Sequence, residues 1–588
     1  MKDILKYMLG TILGLFGLAL FGFILLLGIS AIAGSGSKIE IEPNSVLYLS
    51  FEKGIVDRAN KPGLVDIDFD GSKKNKPISV STALDVLDYA KTDNNIKGIY
   101  MDLNTFEGSW ANIEEVRNAL IDFKSSGKFI MAYSNIYSNK NYYMASVANN
   151  IYMVPNGGLV WNGLSRTIMF FKGSLEKLGI EPQIFKVGKY KSAVEPYILD
   201  KMSDANREQN NSFMNSFYDH MLEKVSNERD LDISALKDIA DEFKIRDDKG
   251  SVKHKLVDEL LYKDEVLQKI REALGIDEGD EISSICFSDY EKYYRSKKEL
   301  EFNLDKIAVV YAAGNIVDGK GSKDEIGGAS LSKVIRKVRE DENTKAMVLR
   351  VNSPGGSALA SEIIWREVAL TKKKMPVIVS MGNVAASGGY YISCLADTIV
   401  AQPNTITGSI GVFGIVPNLK GLYEDKLGLS FDMVKTSKYG DFGSLYRAFD
   451  SNESNIIQES VNRIYDVFLG RVSDGRGQSK EDIHKVAEGR VWTGLQAKEN
   501  GLVDVIGGLE DAINIAKEKA KLEEYSISNY PKSEKKPWEL ILEALNESAS
   551  ETFIEKELGD YSLLFKEVKA ISKSRGIQAR LPYTIRIE

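Results

Sequence analysis

Ser387 lies where a strand gives way to a helix, a place where a serine can act as a nucleophile. It belongs to Asn383–Tyr390 (NVAASGGY), which follows the apolar run Val377–Ser380 and precedes the apolar run YYISCLAD. Backbone N–H groups at such a turn can stabilise an oxyanion. Serine before a helix is also a common N-cap, so the residue type alone leaves both roles open. Ala385 occupies the first glycine position of the Gly-x-Ser-x-Gly elbow, so an α/β-hydrolase is not indicated.

Lys191, in the first half of the chain, is a candidate general base for that serine. It lies in Val187–Pro196 (VGKYKSAVEP). A lysine can accept a proton near neutral pH only if its pKa falls from about 10.4, and burial has that effect. Composition alone does not separate Lys191 from Lys189, and most lysines are solvated surface charges.

Two further motifs can complete such a site. Gly355 and Gly356, in NSPGGS, can direct backbone N–H groups into a cleft, although Pro-Gly-Gly is also a common turn. Ser409, in TGSIG, can orient the lysine amine or be an ordinary turn serine. We expect the oxyanion donors to be N–H groups of Gly388 and of the Gly355–Gly356 loop, and the sequence does not identify which loop glycine donates.

These motifs lie in a unit that occurs twice. Gly127–Ala145 (GKFIMAYSNIYSNKNYYMA) aligns with Met375–Ser393 (MPVIVSMGNVAASGGYYIS), and the same register holds upstream and downstream. The copies share their apolar strands and differ where chemistry is expected. The first copy has Asn139 for Ser387, Glu107 for a loop glycine and Trp161 for Ser409, and the second has Gly440, after a one-residue slip, for Lys191. The pattern predicts one site per chain between two repeats, which belong either to one chain or to two.

The elements around these motifs alternate between apolar strands and amphipathic helices. Strands recur about every 30 residues with helices between them, which indicates parallel crossover units and an α/β fold. We predict four regions: an N-terminal anchor over 1–37, a first repeat over 38–300 that supplies the lysine, a second repeat over 301–530 that supplies the serine, and a tail over 531–588. The charged segment Ile282–Asn303 is expected to join the repeats, and the tail is expected to end in the strand-like run RLPYTIRIE.

The N-terminal region predicts a transmembrane helix. No side chain from Tyr7 to Ser37 is charged, and the run is long enough to cross about 30 Å of hydrocarbon. Lys2 and Lys6 precede it, which predicts a cytoplasmic N-terminus and an extracytoplasmic remainder. Ala31–Ala33 resembles a signal-peptide cleavage site, but the apolar run is longer than a typical signal h-region, which favours an uncleaved anchor.

Composition excludes other classes of function. The net charge of −8 argues against nucleic acid as the main partner. Neither Cys286 nor Cys394 lies in a metal-binding spacing, and the chain has three histidines, so no metal or cofactor is predicted. We expect Cys394 to be a small buried core residue.

The four motifs VNSPGGS, GNVAASGGYYIS, ITGSIGVFG and VGKYKSAVEP together resemble the long, duplicated form of the signal peptide peptidase A (protease IV) family, peptidase family S49. The resemblance covers nearly the whole chain. It implies tandem repeats of the Clp protease–crotonase fold and a bowl-shaped homotetramer at the bacterial inner membrane, with the catalytic part on the periplasmic side. It also implies a serine–lysine pair that degrades released signal peptides without a cofactor. By this resemblance the nucleophile is Ser387 and the base is Lys191 rather than Lys189.

Two alternatives come from other classes of protein. A crotonase-like acyl-CoA enzyme would use the same oxyanion loop, but it needs no serine–lysine pair. A non-catalytic membrane scaffold would keep the fold alone, which the presence of both Ser387 and Lys191 disfavours.

Overall fold

A computed structural model describes residues 39–58, 77–297, 305–532 and 577–581, together with residues 7, 10–11, 13–18 and 21. The strands are β1 Ser45–Val56, β2 Ile78–Ser79, β3 Ile96–Gly108, β4 Phe129–Tyr137, β5 Asn150–Leu159, β6 Glu181–Val187, β7 Glu259–Leu260, β8 Ser284–Cys286, β9 Lys306–Ala313, β10 Asn315–Val317, β11 Glu325–Gly327, β12 Thr344–Ser353, β13 Gly355–Ser357, β14 Val377–Ala386, β15 Thr398–Ala401, β16 Ile406–Gly408, β17 Val412–Asn418, β18 Val491–Thr493, β19 Val505–Ile506, β20 Ser526–Tyr530 and β21 Ile577–Arg580.

The helices lie mainly between consecutive parallel strands. They are α1 Val80–Thr92, α2 Trp110–Lys124, α3 Asn139–Ala145, α4 Lys172–Lys177, α5 Glu195–Ile198, α6 Asp204–Arg229, α7 Ile233–Asp241, α8 Asp248–Lys253, α9 Lys263–Leu274, α10 Phe287–Lys297, α11 Gly328–Glu340, α12 Ala358–Lys372, α13 Gly388–Ser393, α14 Ser451–Arg476, α15 Lys480–Val486, α16 Gly494–Glu499 and α17 Leu509–Ala520.

Two parallel sheets have the same strand order, which confirms the α/β fold and the duplication. The first sheet contains β8-β1-β3-β4-β5-β7, and the second contains β20-β9-β12-β14-β15-β19. Helices cover both faces of each sheet, so the strands contain continuous apolar runs such as AMVL in β12. Leu331, Ile335 and Val338 recur at helical spacing in α11 and pack into the core of the second repeat.

A third sheet joins the two repeats within one chain. Its order is β11-β10-β13-β21-β17-β6. In it β6 of the first repeat pairs antiparallel with β17 of the second, from Val187 opposite Val412 to Glu181 opposite Asn418. This pairing brings the segment that follows β6, which contains Lys191, to the second repeat.

A buried ion cluster also holds the repeats together. The Arg350 guanidinium, on β12 of the second repeat, donates to Asp57 Oδ1 at 2.7 Å and to Glu115 Oε1 at 2.6 Å, both from the first repeat. Burial raises the pKa of the Glu115 carboxyl, and Arg350 beside it acts in the opposite direction. Removal of one partner would leave a buried charge unpaired, so the cluster depends on the docked arrangement of the two repeats.

The structure describes only parts of the predicted anchor and tail, and it describes most of the segment expected to join the repeats. No helix among the described residues is long and apolar enough to cross a membrane, and most of the predicted anchor region over residues 1–37 lies outside them. The segment expected to join the repeats contributes β8 and α10 to the first repeat. In the tail, the described strand is β21, which ends where the expected strand-like run begins. Residues 582–588 lie outside the described part.

Candidate active site

Ser387 occupies a strained turn between β14 and α13. Its backbone has φ 55° and ψ −114°, a conformation that is rare for a residue with a side chain. The Ser387 N–H donates to Gly408 O at 2.8 Å, which helps to hold the turn. Its side chain makes no capping hydrogen bond to α13. The N-cap role is therefore not realised, and the buried hydroxyl is available for another contact.

Lys191 provides that contact. Its Nζ lies 2.9 Å from Ser387 Oγ, and only 1% of the side chain is exposed. Burial lowers the pKa of the Lys191 amine to about 7, because removal from water penalises the charged form. Lys189 is exposed, and its amine lies over the Tyr190 ring at 5.1 Å from the centroid. The structure thus brings Lys191, and not Lys189, to the serine.

The segment after β6 is positioned by contacts with the second repeat. The Tyr190 N–H donates to Glu488 O at 2.9 Å. Gly489 packs directly on the Lys191 backbone, where a Cβ would lie 2.7 Å from Lys191 Cα. A side chain at this position would push the lysine away from Ser387. The sequence does not point to Gly489, because no local pattern connects it to Lys191.

Ser409 lies on the other side of the amine. Lys191 Nζ donates to Ser409 Oγ at 3.1 Å and to Ser409 O at 3.2 Å. Ser409 itself has φ 50°, and its N–H donates to Arg490 O at 2.7 Å. Ser387 Oγ also donates to Gly411 O at 3.4 Å. The amine therefore sits between two serine hydroxyls. Of these, Ser409 is the one that the sequence suggests as an orienting serine.

The three glycines predicted as oxyanion donors adjoin Ser387. Gly388 is the first residue of α13, so its N–H has no acceptor within the helix. Gly355, at φ +95°, lies against it, since a Cβ on Gly355 would come within 2.6 Å of Gly388 N. In this structure the Gly355 N–H donates to Ser353 Oγ at 3.1 Å. Gly356 pairs with Ile316 of β10 in the neighbouring strand.

Sequence reasoning missed two further parts of this region. Ser353 holds the glycine loop, because its hydroxyl accepts from Gly355 N–H and donates to Gly314 O at 2.7 Å. The sequence signal that could have identified Ser353 is its position inside the motif NSPGGS. Strand β21 lies directly beside the loop, between β13 and β17, and its sequence carries no motif that would place it there.

Cys394 is fully buried, as the sequence predicts. Burial raises the pKa of its thiol to about 12, so it is an inert core residue. Cys286 is exposed, and both cysteines are free.

Comparisons with known proteins identify the family of the chain. The sequence matches the description Peptidase family S49 twice, over residues 122–277 and 369–523, one match in each repeat. It is 34% identical to Protease 4 of Salmonella typhi over 90% of this chain and 86% of that protein. It is 35% identical to Protease 4 of Haemophilus influenzae, over 84% of this chain and 83% of that protein.

A plant relative and a solved structure extend the comparison. The chloroplastic serine protease SPPA of Arabidopsis thaliana is 34% identical over 77% of this chain and 67% of its own length. A ClpP1 mutant from Listeria monocytogenes covers 35% of this chain and 94% of its own at 18% identity, with a TM-score of 0.24, which is too low to support an argument about the fold. The two family matches and the identity along nearly the whole chain show that this chain belongs to peptidase family S49 and is a serine protease.

Proposed function

We propose that Ser387 and Lys191 form a catalytic dyad that hydrolyses peptide bonds. The observation that carries the proposal is the 2.9 Å approach of Lys191 Nζ to Ser387 Oγ in a site that excludes water. A pKa of about 7 leaves a large fraction of the amine neutral near neutral pH, as a general base requires. Ser409 is proposed to orient the amine through its hydroxyl and carbonyl oxygens.

The reaction follows from these contacts. Neutral Lys191 takes the proton of Ser387, whose oxygen attacks the peptide carbonyl carbon. The resulting oxyanion accepts from the Gly388 N–H and from a glycine of the Gly355–Gly356 loop. Collapse breaks the C–N bond, and protonated Lys191 gives its proton to the leaving amine. A water molecule, deprotonated by Lys191, then hydrolyses the acyl-enzyme and regenerates Ser387.

The glycine loop adds a condition to this mechanism. Because the Gly355 N–H donates to Ser353 Oγ, it can serve the oxyanion only after it has left that acceptor. Gly388 is therefore the donor that the present conformation offers most directly. The loop glycine is proposed to join when substrate binds.

The proposed substrates are released signal peptides and other apolar peptides, at or in the membrane. This substrate class rests on the resemblance of the four motifs. Anchoring by one N-terminal helix, with the catalytic part on the periplasmic side of the inner membrane, rests on the charge-free run Tyr7–Ser37 and on the lysines before it. The Clp protease–crotonase assignment of the fold is part of the same proposal.

We also propose a homotetramer. Large apolar side chains are exposed in the stretch of the second repeat that corresponds to β6 and its flanks in the first: Leu427, Leu429, Phe431, Met433, Val434, Tyr439 and Phe442. Val434 is 98% exposed. In the first repeat the matching strand β6 is covered by β17, so the uncovered stretch is suited to pair with a further copy. Light scattering that returned a monomer mass in mild detergent would contradict this assembly.

Two other functions are less well supported. An acyl-CoA enzyme of the crotonase type would gain nothing from an amine buried against a serine. A non-catalytic scaffold would have no use for a strained serine and a buried lysine, each of which costs about 1 kcal/mol or more of stability.

The deciding experiment is hydrolysis of a quenched fluorescent signal-peptide sequence by the full-length chain in detergent. Ser387→Ala should lower kcat/KM by about 10³-fold or more, because the nucleophile is removed. Lys189→Met, at the competing lysine, is the matched control and should stay within about twofold of the unmodified chain. Retention of turnover by Ser387→Ala would show that the assignment of the dyad is wrong.

A further inference from the structure

The buried face of helix α6 changes from amides to aromatic residues along its length. Asn206, Gln209 and Asn210 are buried in its first two turns, and Phe213 and Phe217 follow at the same helical spacing. A buried amide costs free energy unless its donors and its acceptor have hydrogen-bond partners. The N-terminal half of α6 therefore needs polar groups to pack against, and several of them come from the lysine segment, residues 188–195.

Gln209 contacts the two residues that flank Lys191. Its Nε2 donates to Tyr190 O and to Ser192 Oγ, both at 3.0 Å, and only 2% of the residue is exposed. One of these acceptors precedes Lys191 in the chain and the other follows it. A single side chain of α6 therefore restrains the backbone on both sides of the residue that carries the amine.

The other end of the same amide reaches the second repeat. The Val491 N–H donates to Gln209 Oε1 at 3.2 Å. Val491 lies opposite Gly408 in the pairing of β18 with β16, and the Ser409 N–H donates at 2.7 Å to the carbonyl of the residue before Val491. The Ser387 N–H in turn donates to Gly408 O. Gln209 thus connects the lysine segment to the strand that supports both serines.

A second bridge from α6 follows the same route but is exposed. The Tyr190 hydroxyl donates to the Glu208 carboxylate at 3.1 Å, and Arg490 pairs with that carboxylate at 3.0 Å. The Glu208 side chain is half exposed, and exposed ion pairs contribute little because water screens them. Gln209 is therefore the buried member of the two bridges, where a lost hydrogen bond has the larger effect.

We infer that Gln209 is a positioning residue for the proposed dyad, because its amide holds the lysine segment against β18 and so keeps the amine buried beside Ser387. Without that amide, Tyr190 O, Ser192 Oγ and the Val491 N–H lose a buried partner, and the segment should move towards water to satisfy them. The amine would then be better hydrated and further from the serine. This inference rests on the proposed function for the role of Lys191.

The first test is the pH profile of kcat/KM for the full-length chain with Gln209→Met, which keeps the length of the side chain and removes its hydrogen bonds. Hydration raises the pKa of the Lys191 amine from about 7 towards about 10.4, so the inflection should move up by about one pH unit or more. At pH 7 kcat should fall about tenfold or more, because less of the amine is neutral. KM should change by less than about twofold, since the hydrogen bonds of Gln209 lie on the lysine segment, on α6 and on β18.

The pH readout separates positioning from a merely structural role. Gln209→Met leaves the charges around the lysine segment unchanged, so a shifted inflection reports on the burial of the amine. These charged groups are Lys189 and Glu195 in the segment, Glu208 on α6, and Glu488 and Arg490 before β18.

Ser216→Ala is the matched control. Ser216 lies on the same helix, and its Oγ is 2.8 Å from Thr493 Oγ1 of β18. The change therefore removes a hydrogen bond between the same two elements without altering the bonds of Gln209, and the inflection and kcat should stay as in the unmodified chain. If Gln209→Met does not fold, Ser192→Ala removes one acceptor of the Gln209 amide and should shift the inflection in the same direction by a smaller amount.

The second test does not depend on turnover. Urea unfolding at pH 7 measures how much Lys191→Met stabilises the chain, with and without Gln209→Met. The lowered pKa of the buried amine destabilises the fold at this pH, so Lys191→Met should raise the free energy of unfolding. In the Gln209→Met chain this gain should shrink by about half or more, because the amine is already hydrated there.

The outcomes separate the two proposals. Turnover that survives Ser387→Ala contradicts the dyad and leaves the unfolding result valid for the position of the amine. An unchanged inflection with Gln209→Met, or an undiminished stability gain from Lys191→Met in that chain, would show that Gln209 is an ordinary interface residue and would overturn the inference.

Discussion

Helices α3 and α13 occupy the same place in the two repeats and are held by the same contacts. The Tyr142 hydroxyl donates to Leu256 O at 2.7 Å, and the Tyr390 hydroxyl donates to Leu502 O at 2.8 Å. The scaffold around both helices has therefore been retained. The turns before the two helices, and the groups that face these turns, differ.

The turn in the first repeat is relaxed, and that in the second is strained. Ser138 caps α3 with φ −87° in a capping box, and Asn139 lies inside the helix, where its Nδ2 donates to Asn162 Oδ1 and Gly163 O. Ser387 holds φ 55° and caps nothing. A turn that only has to support a helix takes the favourable conformation, whereas the turn next to Lys191 leaves the Ser387 hydroxyl out of helix capping and in contact with the Lys191 amine.

The groups that face the two turns also differ between the repeats. Where the second repeat has Ser409 and a lysine amine, the first has Trp161, whose Nε1 donates to Leu236 O at 3.0 Å. Its ring packs edge-on against Tyr142 at a centroid distance of 5.5 Å. The space of a would-be site is filled by apolar core. In the first repeat, the serine and the amine are absent, and Trp161 packs in their place as a core residue.

The largest expected effect is that of Lys191→Met, which should separate activity from stability. We expect kcat/KM to fall about 10³-fold or more, because the base is lost. The folded-state pKa lies below the unfolded value, so the amine destabilises the fold fully below pH 7, and this penalty disappears as the pH rises towards about 10.4. Urea unfolding at pH 7 should therefore show a gain of about 2 to 5 kcal/mol. A stability gain that did not shrink at pH 10 would contradict burial of this amine as the cause.

The next effect concerns pH and Ser409. The logarithm of kcat/KM should rise with pH up to about 7 and then level off, because only the neutral amine acts as base. Ser409→Ala removes an acceptor that favours the ammonium form, so the inflection should move to lower pH and the plateau should fall about tenfold. An unchanged inflection would show that Ser409 supports only the backbone. Thr407→Val, at a neighbouring buried hydroxyl that bonds to Ala385 O, is the control for loss of a hydroxyl.

A smaller effect should distinguish the two turns by their stability. Ser387→Gly relieves the positive φ and should raise the free energy of unfolding by about 1 kcal/mol, although activity is lost. Ser138→Ala removes a capping box and should lower it by about 1 kcal/mol. The same sign for both changes, measured by chemical unfolding, would mean that the two turns do not differ in strain.

The smallest expected effect is that of Asn139→Ser, which restores the residue type of the second repeat in the first. We expect no added turnover when it is combined with Ser387→Ala, because Trp161 occupies the place of the amine. The lost contacts to Asn162 and Gly163 should cost about 1 kcal/mol. Measurable hydrolysis by the double variant would overturn the view that this region is filled core.

Much of the fold was predictable because its signals are local. The apolar run of β12 and the helical spacing in α11 identify buried elements without reference to the rest of the chain. The duplication was visible in the alignment of Gly127–Ala145 with Met375–Ser393, and the two sheets confirm it. The broken strand over Lys306–Val317 and the shortness of α13 were not predicted, because both depend on turns set by neighbouring strands.

The site was predictable as a set of candidate residues, and tertiary structure decided how they meet. The sequence alone determined that a serine, a glycine loop and a second serine lie in one repeat and a lysine in the other. It could not show that one chain brings the two repeats together at one site, because that follows from the antiparallel pairing of β6 with β17 in the third sheet. Nor could it show the burial that lowers the Lys191 pKa, the φ of Ser387, or the place of β21. These are properties of packed neighbours distant in sequence, and only the folded chain brings such neighbours together.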